Sequence, residues 1–220
     1  MPTVKTFVDF FQAGGVFMFP VLITLIIGTA IATERYIKLT RVMYNNKRIW
    51  RNVQPLLASG NFAQAHKLIG NDGTEISGIL RRGLKRQGEI QQREDIDFIT
   101  TENMAEVTPQ LNKRTHYLAL LANIATLFGL LGTIVGLIEA FTAVAKAAPL
   151  EKADFLSASI SVAMNTTAFG LMSAIFLLIA YAILSAKTKR IIGSLEIVSV
   201  KTLNIITEFA PQPPAAKQDN

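Results

Sequence analysis

The stretch YLALLANIATLFGLLGTIVGLI, Tyr117 to Ile138, carries no charged side chain, and its small residues recur at one helical spacing: Ala122, Ala125, Gly129, Gly132 and Gly136, continued by Ala140. A helix needs about 20 mainly apolar residues, at roughly 1.5 Å each, to cross about 30 Å of hydrocarbon, and this run is long enough. Spacings of three and four place the small residues on one face. Lipid gains little from such side chains, whereas a neighbouring helix gains close backbone contact and dispersion energy. That face is therefore expected to meet protein.

Two further uncharged runs, Phe10 to Thr33 and Phe155 to Ala186, meet the same length requirement. The reading is an all-α membrane protein with three transmembrane helices. Half of the residues are hydrophobic yet 17% are charged, so substantial solvated segments accompany the spans. Between Glu34 and His116 there are 14 Lys or Arg, and five more follow Ala186, against three (Lys5, Lys146 and Lys152) elsewhere. Positive residues stay on the cytoplasmic side, which predicts an N-out, C-in topology.

The net charge of +6 and pI near 9.7 arise largely beside the membrane ends, at Arg35, Lys38, Arg41 and Lys187 to Arg190. Orientation and contact with anionic lipid account for them without nucleic acid. Cysteine is absent, which excludes disulfide and thiol chemistry. The first run is too long for a signal-peptide core and lacks a basic leader, so it is expected to stay in the mature chain.

Outward from the spans, the expected organisation is a periplasmic interfacial helix (1–13, with Val4, Phe7, Val8 and Phe11 on one face), a first span (14–34) and a cytoplasmic helical domain (35–116). A second span (117–145), a periplasmic link (146–154), a third span (155–186), a cytoplasmic helical extension (187–209) and a disordered Pro-rich tail (210–220) follow. Gly14 and Gly15 permit a turn into the first span, and Pro20 sits early, where its missing N–H costs least. Asn61 is placed to cap a helix carrying Phe62, Ala65, Leu68 and Ile69, and a second short helix is expected from Thr74 to Arg86. A third, from Gln91 on, runs toward the second span with Pro109 as the expected kink. Ile191, Leu195, Val198, Ile205 and Phe209 prolong the third span as an amphipathic helix, so the second and third membrane helices both extend into the cytoplasm.

The membrane runs also hold hydroxyls and an amide: Thr126 and Thr133 on the second, and Asn165, Thr166 and Thr167 on the third. One Thr in a helix satisfies itself on the carbonyl a turn back, but five such side chains near mid-membrane suit the wall of a hydrated pathway. Hydroxyls do not titrate near neutral pH. A proton pathway needs a carboxylate or His, and neither spans two nor three offers one at mid-depth. Glu139, about 9 Å beyond Thr133, is a candidate ion-attracting mouth residue or an interfacial partner for Lys146 or Lys152. His66 and His116 read as surface residues. The titratable group is expected from a partner.

The segments LFGLLGTIVGLIEAF (Leu127 to Phe141) and AMNTTAFGL (Ala163 to Leu171), with GGVFMFPVLITL and ERYIKL in and after the first span, resemble the ExbB/TolQ/MotA proton-channel family, on its ExbB and TolQ side. The resemblance covers most of the chain. It implies a homopentameric inner-membrane subunit around two copies of a single-span ExbD- or TolR-like partner, whose Asp takes up and releases protons. It also implies that motion is passed to a TonB-like or TolA-like protein for outer-membrane transport or envelope maintenance. On that pattern Thr133 and Thr167 correspond to pore-facing threonines, with Thr166, Asn165 and Thr126 beside them, and Gly129, Gly132, Gly136 and Gly170 pack helices. Two departures stand out: Val162 occupies a position where many relatives carry Glu, and Thr126 one where Pro is common. The first leaves Na+ open as the coupling ion.

The other readings are a non-conducting membrane scaffold for single-span partners and a flagellar-stator-like channel subunit, the latter normally four-span. No metal-ligand cluster, nucleophile and base pair or phosphate loop is present in the sequence, so neither an enzyme nor a cofactor is expected.

Overall fold

The computed structural model describes residues 14–70, 72–85, 93–146 and 148–209. The expected interfacial helix at 1–13 and the tail at 210–220 lie outside them. The described chain forms six helices and no strand: α1 (Met18–Ala58), α2 (Phe62–Gly70), α3 (Glu75–Lys85), α4 (Arg93–Asn112), α5 (Tyr117–Lys146) and α6 (Lys152–Glu208). Three helical stretches are long and apolar enough to cross a membrane: Met18–Ala58, Glu94–Lys146 and Lys152–Glu208.

The chain divides into two units, Met1–Tyr36 with Arg114–Ser185, and Ile37–Lys113 with Ala186–Asn220. The first unit holds the uncharged stretches. Gly15, at φ 73°, adopts the left-handed conformation that glycine takes without a Cβ clash, and its carbonyl accepts the Met18 N–H at 3.2 Å to start α1. Pro20 falls in the first turn of α1, where its lack of an N–H is harmless. Met18 and Val21 of α1, Ala125 of α5 and Phe169 of α6 form the buried cluster of this unit, edged by Leu22, Leu25 and Phe128. Outward lie Ile23, Ile26 and Ile27 of α1, Leu127, Leu131, Ile134 and Ile138 of α5, and Ile175, Phe176 and Ile179 of α6, all exposed.

Helices α5 and α6 touch through their backbones. A Cβ built on Gly170 would lie 2.8 Å from both the Ala125 carbonyl oxygen and the Gly129 Cα, and one on Gly136 would lie 3.0 Å from the Ala163 Cβ. These pairs run in opposite chain directions, so α5 and α6 are antiparallel. Gly15 against Val162 and Gly28 against Leu177 place α6 parallel to α1 within this unit.

The second unit is a set of shorter helices packed with the later parts of α1 and α6. Asn61 caps α2 as its spacing predicts, its side-chain oxygen accepting the Gln64 N–H at 3.3 Å. Thr74 caps α3, accepting the Ser77 N–H at 3.4 Å, so the helix expected from Thr74 begins one residue later. Ile76, Ile79, Leu80 and Leu84 bury one face of α3. Phe62 and Phe209 meet edge to face with ring centroids 5.7 Å apart, in a favoured aromatic geometry.

Two local features differ from the sequence reading. Pro109 lies within continuous α4, and the break before the second uncharged run falls at 113–116, where Arg114 takes a φ of 64°. A non-glycine residue there is held by its surroundings, and the Arg114 guanidinium donates to both Glu34 carboxylate oxygens at 3.2 and 3.3 Å. Arg35, expected at the lipid surface, is instead 2% exposed. In addition, α1 passes Glu34 without interruption and runs 41 residues as one helix.

The α5–α6 contact yields a test. Gly170→Val places side-chain atoms where the facing backbone already sits, an overpacking worth about 1–3 kcal/mol or more. The expected result is a lower thermal midpoint in detergent, with Leu171→Val, on the exposed side, close to wild type.

Candidate ion-pathway site

The site is built on the Gly129–Gly170 contact. Because no side chain intervenes between the two backbones, the Thr167 hydroxyl on α6 reaches across and donates to the Gly129 carbonyl of α5 at 2.8 Å. Thr133, one turn further along α5, donates to its own helix at the Leu130 carbonyl at 2.6 Å. The two hydroxyls are thus anchored on consecutive carbonyls of α5. Both threonines are partly exposed.

The consequence is a matter of hydrogen-bond inventory. A hydroxyl has one proton and two lone pairs. With each proton committed to a carbonyl, Thr133 and Thr167 offer their surroundings acceptor sites. Thr126 behaves likewise, donating to the Ala122 carbonyl of its own helix at 3.1 Å.

Thr166 is placed differently. It is 1% exposed, and its hydroxyl bonds to the Gly14 carbonyl ahead of α1 and, at 3.1 Å, to the Val162 carbonyl. A Cβ built on Gly132 would lie 3.1 Å from the Thr166 Cβ. Thr166 therefore joins α6 to α5 and to the turn before α1. Asn165 is half-buried, and consecutive residues on a helix point about 100° apart, so Asn165, Thr166 and Thr167 do not share a face. The structure anchors the Thr133 and Thr167 hydroxyls on consecutive carbonyls of α5 and sets Thr166 apart as a packing residue.

Glu139 is exposed on α5, six residues beyond Thr133. Gly129 and Gly132 are buried, as is Gly170, and Gly136 lies half-buried against Ala163. Sequence reading missed the cross-helix bond of Thr167 and the bond from Thr166 to the Gly14 carbonyl. The only prior signal for either was a small residue at the acceptor.

A family model described as the MotA/TolQ/ExbB proton channel family matches residues 72–197. The chain belongs to this family. It is 34% identical over 133 residues to biopolymer transport protein exbB1 of Vibrio cholerae serotype O1, a match covering 58% of this chain and 55% of that protein. The chain thus spans about half the length of the curated relative it matches. Family and helices together make this a multi-pass membrane protein.

Thr166→Val keeps the side-chain shape, removes the hydroxyl and leaves the buried Gly14 carbonyl without that donor. An unsatisfied buried group costs about 1–3 kcal/mol. The expected outcome is a lower thermal midpoint, restored by Thr166→Ser, with ion flux per folded complex close to wild type.

Proposed function

We propose that this chain is the channel subunit of an inner-membrane, ion-driven motor. It lies N-out and C-in, assembles as a homopentamer and encloses copies of a single-span ExbD- or TolR-like partner. Proton passage moves that partner and energises a TonB-like or TolA-like protein. The supporting observation is the acceptor-lined pair Thr133 and Thr167.

The chemistry follows from that pair. A protonated carboxyl group has an O–H to donate, and the free lone pairs of both threonines can accept it. An ionised carboxylate only accepts, so it finds no free donor on either hydroxyl and prefers water. The wall therefore holds the neutral acid better than the anion, giving a partner's Asp different contacts before and after it loses its proton. The uncharged runs of α5 and α6 contain no carboxylate of their own, which supports a borrowed acid. Glu139, nearer the outer end of α5, is proposed to attract cations to the mouth, and Thr126 and Asn165 to contribute to the pathway. Proton coupling is the reading that membership in a proton channel family supports.

The test is proton flux into vesicles containing the chain and its single-span partner. Thr133→Val combined with Thr167→Val is expected to reduce flux by about tenfold, since a hydrogen bond to a neutral acid contributes about 0.5–1.5 kcal/mol and the double variant removes both acceptors. Single substitutions are expected to be milder because water can enter a polar site. Thr167→Ser, which retains the bond to Gly129, is expected to conduct. Unchanged flux in the double variant rules out the hydroxyl pathway, and no flux from wild type with the partner's Asp intact indicates a scaffold.

A further inference from the structure

Within the second unit, residues of α1, α3 and α6 line a half-open cavity of about 400 Å³ that the proposed ion pathway does not use. That volume falls within the roughly 300–1,000 Å³ of small-molecule sites, which are mainly apolar with a few placed polar groups. Trp50, Ile76 and Leu195 supply apolar wall, and Asn46, Lys47, Arg190 and Ser194 supply the polar groups, the Ser194 hydroxyl donating to the Arg190 carbonyl at 3.0 Å. The Lys187 ammonium donates to the Thr40 hydroxyl, bracing α6 against α1 one turn before the cavity begins.

Asn46 is the decisive residue. It is 8% exposed, and neither its side-chain oxygen nor its nitrogen has a hydrogen-bond partner among the described residues. A buried amide without partners costs about 1–3 kcal/mol, and such groups in native proteins generally mark an absent partner or a functional role. The Thr188 hydroxyl of the same unit is also buried without a partner among the described residues but does not line the cavity, whereas the buried amide of Asn103 is satisfied, accepting from the Arg82 guanidinium at 2.6 Å and donating to the Ser199 hydroxyl at 3.4 Å. Lys47 and Arg190 are exposed at the rim, so two cations flank an apolar chamber that holds one unpaired amide.

We infer that this cavity binds a small amphiphilic anion, with an apolar body against Trp50, Ile76 and Leu195 and a carboxylate or phosphate head between Lys47 and Arg190. An oxygen of the head group accepts from the Asn46 amide nitrogen. A neutral amphiphile fills the chamber but leaves the two cations unmatched, and an amphiphilic cation is repelled by them.

Trp50 is the sole tryptophan of the chain and lines the cavity, so bound bromine quenches its fluorescence by contact. The full chain in lipid nanodiscs is titrated with ω-bromoundecanoate, against undecanoate, undecanol and lysophosphatidylglycerol as competitors. Saturable quenching is expected, reversed by an anionic competitor and not by undecanol. Reversal by undecanoate alone assigns a free carboxylate, and reversal by lysophosphatidylglycerol assigns a lipid-derived phosphate head. Asn46→Leu is expected to weaken binding about tenfold while leaving the thermal midpoint unchanged or higher, which a purely structural role for Asn46 does not produce. Lys47→Gln with Arg190→Gln is expected to abolish the preference for anion over alcohol. Quenching that rises without saturation, equal competition by undecanol, wild-type binding in Asn46→Leu, or a Trp50 that a second copy shields from every probe overturns the proposal.

Discussion

The backbone contact between Gly129 and Gly170 governs the arrangement of the first unit. Two helices whose backbones touch have no side chain between them to absorb a shift, so their axial register is set by van der Waals exclusion. In this chain the exclusion is tight: a Cβ on Gly170 would lie 2.8 Å from the Ala125 carbonyl oxygen. Close approach is also what brings a carbonyl of α5 within reach of a short hydroxyl on α6. The bond from Thr167 to Gly129 is a product of the glycine contact.

From that register follows the chemical character of the candidate pathway. Thr133 is oriented by its own helix and Thr167 by the neighbouring one, yet both commit their proton to the backbone and leave lone pairs outward. A wall with this polarity responds to whether a visiting carboxyl group carries its proton. Fixed donors and acceptors do this without titrating themselves, which suits a motor whose charge change belongs to a moving partner. Thr166, one residue away, is committed to holding α6 against the turn before α1.

The second unit manages its polar groups by another route. Arg82 is held by Asn103 and, at 2.6 Å, by Glu106, and the Thr100 and Ser199 hydroxyls lie 3.2 Å apart, so α3, α4 and α6 share one connected network. A satisfied network specifies one packing arrangement. Asn46 and Thr188 stand outside that network, and of the two only Asn46 lines the apolar cavity.

Much of this was legible in the sequence. The absence of charge over three runs determined the candidate spans, because hydrocarbon admits few ions, and the small-residue spacing determined which side of α5 meets protein. Asn61 announced its helix because a capping side chain acts on the next few residues alone. Periodicity gives the direction in which a side chain points and not what stands opposite it. Hence only the tertiary structure separated Thr167, which crosses to α5, from Thr166, which packs against Gly132 and the Gly14 carbonyl. It also buried Arg35, interrupted at Arg114 the rod expected to run into the second span, and left Asn46 without a partner. Each depends on the axial register of a helix distant in sequence, a quantity set by packing after the helices have formed.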